Sequence, residues 1–402
     1  MLDELSTLEP FRGEVRAWCG EHVPADWRRQ QAGASHEQFA AFHRWWGSEL
    51  RAGGYFAPHW PTEWGGGGFS LLEQVVLAEE LARADAPRNG LYQVALYNAG
   101  PSILHSGTTE QKERFLRPIV DGAVWCQGFS EPNAGSDLAG LETRAVRDGD
   151  EYVVTGQKVW TSMAREADWC ILLVRTDPRA PKRKGISFLL MDMRSPGVEV
   201  RPIRQATGQS EFCETFLDEV RIPVANRLGP ENEGWAVTNS TLASERGVVI
   251  VELAERFMRN GVGALVEALT GWSDERGTPL RNDPVARELV AERYAEAVVL
   301  RQLLSTMVTN IVRRGGVGNE ASIVKLFYSE LLQRLMRDAA ELQGLDAHVE
   351  RPALMSAGWE SGEWLYDYIN SYSWTIGGGT NEIMRNIIGE RVLGLPREPE
   401  AG

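Results

Sequence analysis

Glu151–Ser162 reads EYVVTGQKVWTS, and four further runs of the same character follow it. They are WCILLVRT (169–176), GISFLLMDM (185–193), VEVRPIR (198–204) and CETFLDEVRIP (213–223). β-branched and aromatic residues dominate all five, and polar or glycine-containing turns at 147–150 and 177–184 separate them. Such a series predicts a small barrel or sandwich within residues 123–227.

On both sides of this region the period changes from two to that of a helix. Upstream, residues 71–84 read LLEQVVLAEELARA, with Leu71, Val75, Ala78 and Ala82 at spacings of four and three. Thr109–Val120 reads TEQKERFLRPIV, where Thr109 and Lys112 frame a first turn. Downstream, amphipathic segments cover 238–269, 284–314 and 319–343, with Pro284 suited to a first helical turn. Segregated rather than alternating elements predict an α+β fold. Its parts are an N-terminal α-helical domain (1–122), a middle β domain (123–227) and a C-terminal helical bundle (228–402).

Composition narrows the functions. The 402 residues carry 42 Lys and Arg against 56 Asp and Glu, a formal charge of −14. That balance excludes a general binder of nucleic acid or anionic membranes, both of which need a positive field. One basic cluster, Arg179, Lys182, Arg183 and Lys184, reads first as a solvated loop and second as a contact for a ligand phosphate. The four cysteines lack C-x-x-C spacing and the six histidines include no H-x-x-x-H pair, so no metal site is expected. The four glycines at 65–68 lack the Lys-Ser or Lys-Thr of a phosphate loop and read as a turn. The acidic, polar start is unlike a signal peptide, and no apolar run approaches the roughly 20 residues that span a bilayer. A soluble, cytoplasmic protein is expected.

Three segments carry candidate chemistry. Residues 127–137 read QGFSEPNAGSD, where Gly135 permits close backbone approach and Ser130 and Ser136 offer short hydroxyls. This is either a loop that lies flat against a planar cofactor or a plain turn. Glu245 falls on the apolar helix face defined by Leu242, Val249, Leu253 and Phe257. A carboxylate so placed either finds a cation or shifts its pKa upward, and the second outcome suits a general base. Residues 375–386, TIGGGTNEIMRN, read as a glycine turn capping a helix that starts near Asn381.

Together these segments resemble the acyl-CoA dehydrogenase family over nearly the whole chain. The match lies in WCQGFSEPNAGSDLAGLETRA (125–145), GDEYVVTGQKVWTS (149–162), LASERG (242–247) and GGGTNEIMRNIIGERVLGLPRE (377–398). The resemblance implies a helical N-terminal domain, a middle β-barrel and a C-terminal four-helix bundle, with FAD between barrel and bundle. Gln127, Phe129, Ser130, Gly135 and Ser136 would line the flavin on one side, and Trp160, Thr161 and Ser162 would close the other. Ser136 would also reach the acyl-CoA, and Thr380 with Glu382 would approach the adenosine diphosphate half of FAD. The implied reaction removes an α-proton and a β-hydride from the thioester, and an electron-transfer flavoprotein accepts the electrons.

The base departs from the family's usual pattern. Its common position, two residues before the motif threonine, is Gly378 here. Glu245-Arg246 occupies the position used by the minority of members whose base lies on a bundle helix. The resemblance therefore makes Glu245 the base and Arg246 the residue that orients it and contacts substrate. Further departures are Ser273, Arg276, Gly277 and Pro284, where the family has an Arg-x-x-Phe-Gly segment and a following glutamine, and the remnant Gln343-Gly344. Arg276 or Arg281 would have to serve instead. These losses are similar to members of the actinobacterial steroid-side-chain type, so a homo-oligomer and an α2β2 heterotetramer with a related subunit both stay open. Two other functions compete with the dehydrogenase: a non-catalytic subunit completing a relative's FAD site, and an oxidase or monooxygenase on the same fold.

Overall fold

The computed structural model describes residues 7–244, 249–274, 276–316, 318–355 and 359–397. The chain folds as two compact units. One comprises Glu37–Gly68 with Arg88–Glu245, and the other Met1–His36, Phe69–Pro87 and Arg246–Gly402.

The first unit is built on one mixed sheet of eight strands: β1 Trp125–Gly128, β2 Arg144–Asp148, β3 Glu151–Ser162, β4 Trp169–Arg175, β5 Ile186–Asp192, β6 Val198–Pro202, β7 Phe212–Pro223 and β8 Arg227–Leu228. The order is β6-β7-β3-β2-β4-β5-β8, with β1 parallel to β4. The five sequence-predicted runs became β3 to β7; β1, β2 and β8 are additional. They escaped prediction because they are short, and β2 buries only Ala145 of its five residues. Inward-facing side chains, Tyr152, Val154, Leu172, Val174, Leu189, Met191 and Ile222, make the core. Cys126, Cys170 and Cys213 lie in the same core as free thiols.

Helices of this unit cover His36–Ala52, of which residues 37–52 belong here, Gly100–Ser106, Thr109–Val120 and Gly234–Ser244. The Thr109–Val120 helix has the bounds its sequence suggested, but its first turn is framed one residue upstream, by a reciprocal capping box of Thr108 and Gln111 rather than by Thr109 and Lys112. The Gln111 side chain then donates to the carbonyls of Ala225 and Arg227, each at 2.8 Å, and ties the helix to the last strand.

The second unit is helical. Its core joins Val75, Leu253, Leu265, Leu300, Leu304, Leu331 and Leu335, drawn from helices Leu71–Arg83, Val249–Arg256, Ala264–Gly271, Pro284–Arg314 and Glu320–Gln343, with Phe257 from a π-helical turn and Trp359 from a loop. Of the segment expected as one helix over 238–269, the described residues form Gly234–Ser244 in the first unit and, in this one, Val249–Arg256, a π-helical turn Phe257–Gly263 and Ala264–Gly271. No helix among the described residues is long and apolar enough to cross a membrane.

This unit buries charge. Arg256, 1% exposed, donates to the Ala86 carbonyl at 2.6 Å and to Glu252 at 2.8 Å. Asn260 joins Asp85 to Glu360, and Arg28 grips Asp85 at 2.5 Å. Beside them Asp367 accepts the backbone N–H groups of Glu360 and Ser361, each at 3.1 Å. Burial outweighs these amides and pushes the Asp367 carboxyl up to about 7.

A carboxyl raised in the folded state stabilises it below the unfolded pKa and loses that contribution as pH rises toward 7. Asp367→Asn removes the titration. The stability of wild type relative to this variant should therefore fall by roughly 3–4 kcal/mol between pH 4 and pH 8. Urea unfolding at those two pH values checks it; a constant difference refutes the titration.

Candidate functional site

In the first unit the segment 127–137 leaves β1 and turns across the end of the sheet. Its main chain is held from inside. Val159 N–H donates to the Ser130 carbonyl at 2.9 Å, and the Phe129 carbonyl accepts from Lys158 Nζ at 3.2 Å. Glu131 and Ala134 exchange a pair of backbone hydrogen bonds at 3.1 Å each. The Glu131 carboxylate accepts from the N–H groups of Glu142 (2.7 Å) and Thr143 (2.9 Å) and from Lys158 Nζ (2.8 Å). Lys158 is fully buried, and its ammonium with these amides holds the Glu131 carboxyl below its ordinary range despite burial.

The predicted residues of this segment divide by what they expose. The Phe129 ring is buried edge-on against Phe188, with centroids 5.8 Å apart. The Gln127 amide oxygen accepts from Asn98 at 2.8 Å, a contact sequence reasoning missed. Gly135 and Ser136 are exposed, and a Cβ built on Gly135 meets nothing within 4 Å. Asp137, next to Ser136, pairs with Lys182. Arg175 donates to the carbonyls of Ala139 (2.6 Å) and Lys184 (2.8 Å) and so ties the basic loop to this turn.

Trp160, Thr161 and Ser162 sit at a bulge. Lys158 pairs with Thr215 and Thr161 with Cys213, so two residues of β3 oppose one of β7. The extra residue puts Trp160 in the left-handed region at φ +60 with its side chain 58% exposed, a strained setting for an aromatic residue. Thr161 is fully buried, and its Oγ1 has no hydrogen-bond partner among the described residues. An orphaned buried hydroxyl costs about 1–3 kcal/mol unless something else satisfies it.

The second unit holds the other predicted segment. Gly378 and Gly379 take φ +67 and +94, which a glycine adopts without penalty. Lys325 Nζ clamps the turn by donating to the Gly379 carbonyl at 2.7 Å and to Asn381 Oδ1 at 2.9 Å, and Ser329 adds 3.0 Å to the same oxygen. Thr380 caps the helix Asn381–Ile387 by accepting from Ile383 N–H at 3.2 Å. Glu382 is exposed, and its own backbone N–H and the Thr380 hydroxyl hold its carboxyl below the usual range. Ser273, Arg276 and Gly277 lie in a turn closed by Asp274, where Arg276 and Arg281 are both exposed. Glu245 and Arg246 lie outside the described residues.

Family models match along the chain in order: the acyl-CoA dehydrogenase N-terminal domain over residues 6–123, the middle domain over 126–220 and the C-terminal domain over 232–393. The acyl-CoA dehydrogenase IpdE1 of Mycobacterium tuberculosis is 37% identical over 400 residues, covering 98% of this chain and 99% of that protein. Among solved structures, the ChsE4-ChsE5 complex from Mycobacterium tuberculosis is similar at TM-score 0.82 and 32% identity, with 98% of both chains covered. The Tcur3481-Tcur3483 steroid ACAD is similar to the same degree, TM-score 0.82 and 32% identity over 98% of both chains. The chain belongs to the acyl-CoA dehydrogenase family, whose members are flavoprotein oxidoreductases. Its residues fit a flavin. The unpartnered Thr161 hydroxyl, the open space over Gly135 and a loop held entirely from behind are what a planar, acceptor-rich ring requires.

Removing the clamp on the triglycine turn should be costly. Asn381→Ala leaves the Lys325 and Ser329 donors short of an acceptor and should destabilise the helical unit by about 1–3 kcal/mol. Urea unfolding followed by far-UV circular dichroism measures it; a change under 0.5 kcal/mol would sink the clamp.

Proposed function

We propose that this chain catalyses the FAD-dependent α,β-dehydrogenation of an acyl-CoA thioester to the trans-2-enoyl-CoA, with Glu245 as the base. A bound FAD would supply the hydride-accepting chemistry for the β-hydrogen. Glu245 takes the α-proton, the new C=C bond forms between the two carbons, and an electron-transfer flavoprotein removes the electrons. Arg246 orients the base. Gln127, Phe129, Ser130, Gly135, Ser136, Trp160, Thr161 and Ser162 hold the flavin, Thr380 and Glu382 the adenosine diphosphate half, and Ser136 also the thioester.

The observation that carries this reading is the buried Thr161 hydroxyl, unpartnered among the described residues, inside the segment matched by the middle-domain model. Support for the base is indirect and chemical. The triglycine turn has no side chain at 378, and Glu245 follows an apolar periodicity in sequence, where desolvation would raise its pKa toward the range a base needs. A branched or polycyclic acyl group, as the name of the steroid ACAD suggests for that relative, fits a turn that carries no carboxylate. The paired names of both similar structures, with the altered residues at 273–284 and 343–344, support an α2β2 assembly with a related subunit. A non-catalytic subunit would have no use for a carboxylate at 245.

Glu245→Gln should keep FAD and lose about a thousandfold or more in the rate at which acyl-CoA bleaches it anaerobically. Reduction at the wild-type rate excludes Glu245 as base. Thr161→Val deletes a hydroxyl that the protein itself does not satisfy. The apoprotein should be as stable as wild type or about 1 kcal/mol more so, while FAD binding weakens about fivefold to tenfold. Unchanged FAD affinity, read from flavin fluorescence quenching, rejects the assignment.

A further inference from the structure

A fully buried lysine beneath the flavin-binding loop has no part in the chemistry just proposed. Lys158 is 0% exposed and Glu131 8%, and they pair at 2.8 Å. Desolvating two charges costs several kcal/mol per ion, and replacing such a pair by apolar residues is often neutral or stabilising. Its value must therefore lie in geometry.

The ammonium donates to only two acceptors among the described residues, the Glu131 carboxylate and the Phe129 carbonyl at 3.2 Å. The peptide bond between Phe129 and Ser130 is trans, as are all those described. In a planar trans peptide the C=O and N–H point in opposite directions. Turning the Phe129 carbonyl toward Lys158 therefore turns the Ser130 N–H away from it. That N–H has no acceptor among the described residues. Glu131 in turn fixes the next stretch, because it holds the Glu142 and Thr143 amides at the start of β2. Next to Lys158 on β3, Val159 N–H secures the Ser130 carbonyl. Lys158 and Thr161, with its unpartnered hydroxyl, flank the same bulge.

We infer that Lys158 is a positioning residue for the flavin: by holding the Phe129 carbonyl inward it presents the Ser130 N–H as a preset donor to an acceptor of the bound ring. This rests on the FAD reading above. Preorganising a donor avoids paying its ordering cost at binding, so the effect should appear in cofactor affinity and in the flavin spectrum.

The test separates geometry from charge burial. Lys158→Met alone strands the Glu131 carboxylate, so the decisive variant is Lys158→Met with Glu131→Gln, which removes both charges. Full-length protein is purified, stripped of flavin and titrated with FAD by fluorescence quenching. The inference expects an apoprotein that melts near wild type, an FAD dissociation constant raised about tenfold, and a shifted visible flavin band. Wild-type affinity with a wild-type spectrum overturns it. Should the double variant not fold, Glu131→Gln alone decides. It keeps the ammonium on the Phe129 carbonyl, so affinity within about threefold of wild type supports the role and a tenfold loss overturns it. Wild-type protein that binds no FAD at all would remove the flavin reading itself, a different result from either.

Discussion

A charged group in a protein interior is tolerated when it is paired and hydrogen-bonded, and the first unit holds one such case. Glu131 interrupts the run between a glycine-rich loop and a β-strand, where an apolar residue would pack more cheaply. Its two oxygens instead take three donors: the two amides just before β2 and the Lys158 ammonium. The remaining reach of the ammonium goes to a main-chain carbonyl of the same loop. The outcome is a loop whose Phe129 and Ser130 carbonyls are both held from behind. Its outer surface owes nothing to the sheet and is available to a ligand.

The helical unit solves the same problem at its glycine turn. Three consecutive glycines have the largest conformational entropy a tripeptide can have, and nothing in their own side chains restrains them. Lys325 supplies the restraint from a neighbouring helix, holding one turn carbonyl and the amide of Asn381 together. In both units a lysine grips the carbonyl of a loop that the proposed reading gives to the cofactor, and in both the lysine has a second polar partner. Such loops need side chains that do not touch the ligand at all, since a turn built for close approach cannot carry its own anchors.

Periodicity made the fold readable. The β3 to β7 runs and the helices at 71–83, 109–120, 284–314 and 320–343 follow hydrophobic spacing that no tertiary contact had to override. What periodicity could not reveal has identifiable causes. Strands β1, β2 and β8 contribute too few inward residues to show a period. The cluster of Arg28, Asp85, Arg256 and Glu360 joins residues up to 332 positions apart. Trp160 at φ +60 is a bulge residue, and a bulge leaves no compositional mark when it is not a glycine. Lys158 was legible in principle. It shares the inward register with Tyr152 and Val154, at even spacing along β3, and a lysine on that face signals a buried partner. The flavin motif itself was recognised by resemblance; composition alone left it level with a plain turn.

The proposed position of the base follows a conformational argument as well as a family pattern. At residue 378 a Cβ would meet nothing within 4 Å, so space does not select glycine there. The backbone does: φ is +67, followed by +94 at residue 379, and an L side chain at either position carries the left-handed penalty of about 1 kcal/mol or more. A turn folded this way disfavours a carboxylate at the spot where a base is commonly carried. A chain that gives up that position must deliver its proton acceptor from an element whose backbone is unstrained and whose surroundings are apolar. A helix face meets both conditions: regular dihedrals cost nothing, and desolvation from flanking aliphatic residues moves a carboxyl toward neutral pH. On the proposed reading this divides the work between the two segments. The glycine turn offers shape and backbone donors, the helix carries the acid–base chemistry, and changes in acyl-chain preference should accumulate in the first without disturbing the second.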